Sequence, residues 1–171
     1  MAKAVLISIR PKWCEKIASG EKTIEVRKTR PKLETPFKAY IYCSQGNDAR
    51  RLRGSWGKVI GEFTCDRIYE IQKRGIPENF DYCYLSLNEW GNDDIAAEIN
   101  AISASCVSKG EINAYGDRTP VLYGWHISDL RIYDAPRELS EFTGLRDTRF
   151  GAAPYDIKRP PQSWCYVEEL K

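Results

Sequence analysis

Apolar and polar positions change rhythm along the chain, and each rhythm predicts an element. Ala4 to Arg10, rich in Val, Leu and Ile, predicts a first strand stopped by Pro11. Pro11 suits the opening turn of a helix, where its missing N–H costs nothing. Trp13 and Ile17, four apart, give residues 12–19 one apolar helical face, and Ser19-Gly20 ends it. Lys22 to Lys28 alternates with period two, so Ile24 and Val26 share one face of a strand and Glu25 and Arg27 the other. Phe37 to Ser44 alternates Ala39, Ile41 and Cys43 against Tyr40, Tyr42 and Ser44. A polar, basic connection follows from Gln45 to Gly57, and Lys58 to Ile71 reads as one long strand.

The middle of the chain changes character. Residues 72–85 read as irregular and residues 86–117 as helical, with Ser86 and Asn88 as caps and Ile95, Ile99 and Ile102 at helical spacing. Ser108-Lys109-Gly110-Glu111 matches a capping box, which predicts a short helix to about Tyr115, ended by Gly116. Val121 to Tyr133 predicts a strand. The side-chain parity changes between Ile127 and Leu130, so a bulge is expected near Ser128-Asp129. Pro136 to Leu139 reads as a short helix or turn, residues 143–162 as a Gly- and Pro-containing loop, and Ser163 to Glu168 as the last strand. Sequential strands joined by short polar turns, without a βαβ rhythm, point to an α+β, mostly antiparallel, barrel-like sheet.

A chain of 171 residues reads as a single domain, 1–171, with 86–117 as a helical insertion. No run approaches the roughly 18 apolar residues of a membrane span. The apolar run at the start is too short for a signal-peptide core, so a cytoplasmic protein is expected. The six cysteines, at 14, 43, 65, 83, 106 and 165, are well separated and set in apolar context. They read as buried free thiols in a reducing compartment. With His126 the only histidine, neither a metal site nor a cofactor is expected. His126, between Trp125 and Ile127, reads as a packed, hydrogen-bonded residue.

The net charge of +2 conceals a division. Residues 1–60 carry 14 Lys/Arg against 5 Asp/Glu, and residues 61–171 carry 12 against 19. Such asymmetry points to an anionic partner for the basic half. Its densest chemistry is Gly20-Glu21-Lys22-Thr23-Ile24-Glu25-Val26-Arg27. Glu25 and Arg27 address one face, and the turn can swing Lys22 towards them. Were the Glu25–Arg27 pair merely exposed, its removal would cost under about 1 kcal/mol.

The pattern Gly20-x-Lys22-x-x-Glu25-x-Arg27, following a strand and an amphipathic helix, resembles the ASCH domain, a relative of the PUA domain. The order of Ile9 to Trp13, Tyr40 to Cys43, Val59 to Phe63 and Tyr123 to Ser128 is similar to that family's strands. The ending Pro160 to Val167 resembles phage and prophage members. The resemblance implies a PUA-like, mostly antiparallel β-barrel of five to six strands with flanking helices. It also implies a cleft beside the first helix that holds RNA or a modified, nucleotide-like ligand. Lys22 and Arg27 would then be donors, and Glu25 an acceptor or general base. Thr23, Trp13, Tyr42, Ser44, Ser163 and Trp164 are further candidates for ligand contact, and Arg50 and Arg53 for phosphate contact.

An enzyme of the same fold is the alternative: a ribonuclease, or an amidohydrolase acting on a modified nucleoside through Lys22, Glu25 and the downstream acid Glu111. Family members of the latter kind use a threonine nucleophile at the position that Glu25 holds here. Thr23 lies two residues earlier on the same strand face. Glu111 is equally the glutamate of a helix cap.

Overall fold

The computed structural model describes residues 2–45, 56–75, 82–86 and 102–171. Strand β1 (Lys3–Ile9) sits inside a sheet because it has almost no polar face to offer water. Ala4, Val5, Leu6 and Ile7 are all fully buried. It pairs in parallel with β3 (Phe37–Cys43) and antiparallel with β11 (Trp164–Glu168). β4 (Lys58–Cys65) and β8 (Ser128–Arg137) extend the sheet beyond β3, and β9 (Thr143–Thr148) and β10 (Gly151–Asp156) extend it beyond β11. A second sheet has the order β2 (Ile24–Arg27), β7 (Val121–His126), β5 (Ile68–Gly75), β6 (Tyr82–Ser86). Among the described pairings only β1–β3 is parallel, so the sheet is mostly antiparallel, as expected.

The helices are α1 (Pro11–Ala18) and α2 (Lys109–Gly116). In α2 the capping box is complete. Ser108 Oγ accepts from the Glu111 N–H at 3.2 Å, and Glu111 Oε2 accepts from the Ser108 N–H at 3.0 Å. Residues 102–104 are helical, whereas Asn88, Ile95 and Ile99 lie outside the described residues.

Three apolar clusters follow from this layout. The first lies on one face of the larger sheet and joins Val5, Ile7, Ile9, Ile17, Phe37, Ile41, Phe63 and Trp125. The second covers that sheet's other face with Ala4, Leu6, Tyr40, Tyr42, Phe142 and Val167. The third joins Ile24, Val26, Ile71 and Leu122 to Ile112 of α2.

Several expectations are corrected. The eleven described strands form two sheets rather than one ring of five or six. The two strands read as continuous, 58–71 and 121–133, each bend and divide between the sheets. They turn the corner together: Thr64 pairs Ser128 in one sheet and Ile68 pairs Trp125 in the other. The His126 N–H donates to the Arg67 carbonyl at 2.9 Å, and Ser128 Oγ to the Thr64 carbonyl at 2.8 Å. The parity change expected near Ser128-Asp129 is this corner, where Asp129 takes φ +47°. β8 continues through Arg137, so the turn expected at Pro136 comes later, as a 3₁₀ turn over Leu139–Glu141. Part of 72–85, read as irregular, pairs as β5 with β6.

Residues 143–156, read as loop, form the β9–β10 hairpin. Gly144 and Pro154 disguise it. Pro154 is tolerated because β10 is an edge strand. Gly144 is needed because Tyr155, its partner in register, lies over it: a β-carbon there would meet Tyr155 Cζ at 2.3 Å. Gly144→Ala is expected to cost about 1–3 kcal/mol of stability by overpacking, measured by urea unfolding. A loss below about 0.5 kcal/mol would show that the ring moves freely aside.

Candidate functional site

The motif is placed by a glycine turn and a two-faced strand. Gly20 takes φ +81°, a conformation glycine adopts readily, and turns the chain from α1 into β2. On β2, Ile24 and Val26 are committed to the third cluster. Glu25 and Arg27 therefore face the other way, towards the space between the sheets, with Glu25 paired opposite the fully buried Trp125.

Lys22 joins them. Its Nζ donates to the Ile24 carbonyl at 2.8 Å and the Ser105 carbonyl at 2.6 Å, and lies 3.2 Å from Glu25 Oε2. An ammonium has three N–H donors, and three acceptors meet them. Glu25 Oε1 accepts from Arg27 Nε at 3.0 Å and lies 2.8 Å from Arg27 Nη2. Arg27 Nη2 also donates to the Ser8 carbonyl at 2.6 Å, and Nη1 to Ser163 Oγ at 3.3 Å. One carboxylate thus lies between two cations. The Lys22, Glu25 and Arg27 side chains retain only 1%, 7% and 10% of their exposure. This is not the exposed ion pair that costs little to remove. Through Arg27 it fastens the second sheet to β1 and to the start of β11.

The triad lies at the base of an open cleft of about 880 Å³. Ser8 and Arg10 at the end of β1, Trp13 of α1, and Ser44 after β3 line one part of it. Glu111 and Tyr115 of α2 and the Pro160–Ser163 segment line the rest. Trp13 carries Lys22 Nζ at 5.0 Å and Lys12 Nζ at 4.3 Å from its ring centroid. Lys28 Nζ stands 5.2 Å from the Tyr115 ring centroid, and Tyr115 remains 41% exposed. The cleft thus combines a buried acceptor, exposed Arg10 and Lys28, and two aromatic rings.

The other candidates separate. Trp13, Ser44 and Ser163 border the cleft. Thr23 does not: its N–H donates to the Ala104 carbonyl and its own carbonyl accepts from the Ile127 N–H, which bind the turn to its neighbours. Tyr42 is buried in the second cluster, on the far face of the sheet. Trp164 packs against Trp125 and Tyr166 at 6.0 and 5.3 Å between ring centroids, and its Nε1 donates to Thr29 Oγ1. Neither lines the cleft. Arg50 and Arg53 lie outside the described residues.

Sequence reasoning missed Arg10 and Tyr115 as lining residues. The signal for Tyr115 was its place four residues after Glu111, on the same helix face. His126 is half-buried, with Nδ1 2.6 Å from Asp66 Oδ1, at the corner between the sheets.

Glu111 serves the helix cap and also meets Lys12 Nζ at 3.1 Å. The Ser108 N–H and Lys12 hold its carboxyl down to about 2. A depressed acid stabilises the fold above its unfolded value, 4.5, and the contribution is lost as pH falls towards 2. Glu111→Gln is therefore expected to flatten the fall of melting temperature over that acid range. Identical wild-type and variant profiles would contradict the assignment.

The Cys14 and Cys65 thiols are poor nucleophiles. A hydrogen bond with Cys43 and burial push Cys14 up, and burial pushes Cys65 up to about 12. Among the described residues no group of three His, Cys, Asp or Glu side chains is placed to hold a metal, and no helix is long and apolar enough to cross a membrane.

No family model matches the sequence, and no curated protein matches it. Solved structures do match. A crystal structure of a serine-to-alanine variant of an ASCH protein from Zymomonas mobilis superposes with TM-score 0.59 at 18% identity, covering 97% of this chain and 89% of that chain. The ASCH protein itself gives 0.53 at 17% identity over 97% and 88% of the two chains. A tyrosine-to-phenylalanine variant gives 0.53 at 16% identity over 97% and 91%. At these identities the likeness is one of fold, and it spans nearly the whole of both chains: this is a strand-rich α+β chain with the ASCH fold.

Proposed function

We propose that the cleft binds RNA or a modified nucleotide, and that the chain is an ASCH/PUA-like recognition module in one domain. The observation that carries this reading is the buried Glu25 carboxylate at the base of an open cleft. Its Oε1 is occupied by Arg27, while among the described residues Oε2 meets only the Lys22 ammonium and keeps acceptor capacity for the amino group of a base. Trp13 and Tyr115 offer ring faces for stacking, worth about 1–3 kcal/mol per base. Arg10 and Lys28 offer cations to a phosphate. We assign further phosphate contacts to Arg50 and Arg53. In support, their segment leaves from Ser44 at the cleft, and the Gly57 N–H beyond it returns to the Cys43 carbonyl at 2.8 Å.

Binding is favoured over catalysis by two observations. All three Lys22 donors are engaged, and the Glu111 carboxylate is engaged by its own helix and by Lys12. We further propose a reducing, cytoplasmic setting, supported by the free thiols of Cys14, Cys43 and Cys65, and a phage or prophage type, supported by the Pro160–Val167 ending.

The test is binding of nucleosides and short RNAs across a salt series, with mass spectrometry of the mixtures. Binding without turnover is expected, with affinity falling with salt at a slope of about −0.7 per phosphate contact and Arg53→Ala flattening it. Product from the wild type, lost in Lys22→Ala while binding persists, would establish the ribonuclease or amidohydrolase alternative instead.

A further inference from the structure

Phe150 stands 85% exposed, against 41% for Tyr115 and 39% for Ile132, the other exposed large apolar residues among those described. A built turn holds it there. β9 and β10 remain paired as far as Thr148 and Gly151, so Arg149 and Phe150 alone form the hairpin tip. Thr148 Oγ1 donates to the Gly151 carbonyl at 2.7 Å and accepts from the Phe150 N–H at 3.2 Å. Gly151 takes φ +108°, which a residue with a β-carbon resists. The Arg149 guanidinium carbon lies 4.6 Å from the Phe150 ring centroid. The turn backbone is thus held in place, and the tip presents an exposed ring with a cation beside it.

Its surroundings are basic. Arg146 and Arg149 are exposed on the hairpin, and of its two acids Asp147 is held by Lys3 at 2.5 Å and Asp156 pairs with Thr143 at the end away from the tip. The register gives the hairpin its direction. β9 runs antiparallel to β11 with Leu145 opposite Tyr166. Moving from Leu145 to Thr148 therefore leads towards the start of β11, the end at which Ser163 borders the cleft.

We propose that the Arg149–Phe150 tip is a second contact for single-stranded nucleic acid, engaging a nucleotide that flanks the one in the cleft. A base stacks on the Phe150 ring, and Arg149 meets the adjacent phosphate. The proposal rests on the nucleotide reading of the cleft. A protein or lipid surface would be met by a contiguous apolar patch. Here the ring's chain neighbours are Thr148, Arg149, Gly151 and Ala152, so charge and aromaticity favour a polyanion with stacking faces.

The test compares a nucleoside with single-stranded RNAs of increasing length, up to about 16 nucleotides, by calorimetry and fluorescence anisotropy. Wild-type affinity is expected to rise with length. Phe150→Ala should bind long RNA about 5- to 150-fold more weakly and the nucleoside equally well. Arg149→Ala should lower the salt slope by about 0.7. Equal binding of long RNA by wild type and Phe150→Ala, with nucleoside binding intact, overturns this proposal alone. Absence of both nucleoside and RNA binding in the wild type overturns the cleft reading with it. Phe150-dependent binding to anionic phospholipid vesicles without an RNA effect overturns it in favour of a lipid surface.

Discussion

Glu25→Ala is expected to destabilise the protein by about 3–5 kcal/mol and to abolish nucleoside binding. The carboxylate is the common partner of Lys22 and Arg27, at 3.2 and 2.8 Å, and all three side chains are nearly dehydrated. Removing it leaves two buried cations facing each other without compensation. It also removes the acceptor at the base of the cleft. Glu25→Gln separates these effects. The amide keeps the shape and some of the hydrogen bonding, so it should destabilise less than alanine while still losing ligand selectivity. Urea unfolding and calorimetry on the same preparations measure both. A stability loss under about 1 kcal/mol for Glu25→Ala would mean that the site behaves as an exposed pair.

Lys22→Met ranks next. The substitution keeps an unbranched apolar stem and removes the ammonium, so the Ile24 and Ser105 carbonyls and Glu25 Oε2 each lose a donor. A cost of about 3–5 kcal/mol is expected, because a buried charge partner and two carbonyl contacts go together. The effect should also be local. Lys22 and the Thr23 N–H hold Ser105 and Ala104, in the segment leading to α2. Hydrogen exchange should therefore rise most over residues 102–116, which form the α2 wall of the cleft. Uniform acceleration across the chain would contradict this assignment, leaving Lys22 a general contributor to stability.

Much of this site was legible in the sequence, for physical reasons. Period two on Lys22–Lys28 puts Glu25 and Arg27 on one face, and a glycine turn brings Lys22 round to them. The Ser108–Glu111 spacing specifies its cap by local geometry. What local pattern cannot give is which face of a doubly buried strand opens to solvent. Tyr42 and Ser44 share a parity on β3, yet Tyr42 is covered by the second cluster while Ser44 reaches the cleft from the strand's end. Trp164 follows the cleft residue Ser163 but turns its ring onto Trp125.

The corners were hidden for a related reason. Only the two charged residues Asp66-Arg67 interrupt the apolar pattern between Cys65 and Ile68, and without a Gly or Pro they do not mark a change of sheet. The β9–β10 hairpin was hidden because Gly144 reads as a breaker, and only its partner Tyr155 explains why glycine is there. The burial of the charged triad was equally invisible, since it depends on Ser8, Ser105 and Ser163 arriving from distant parts of the chain.

The most direct test of a nucleotide-binding cleft is an NMR titration of isotope-labelled protein with nucleosides and a short single-stranded RNA. Saturable shifts are expected at Arg10, Trp13, Lys28, Glu111, Tyr115 and Ser163, and they should disappear in Glu25→Gln. Absence of saturable shifts at these residues, or shifts confined to the far face around Tyr42 and Phe142, would contradict it.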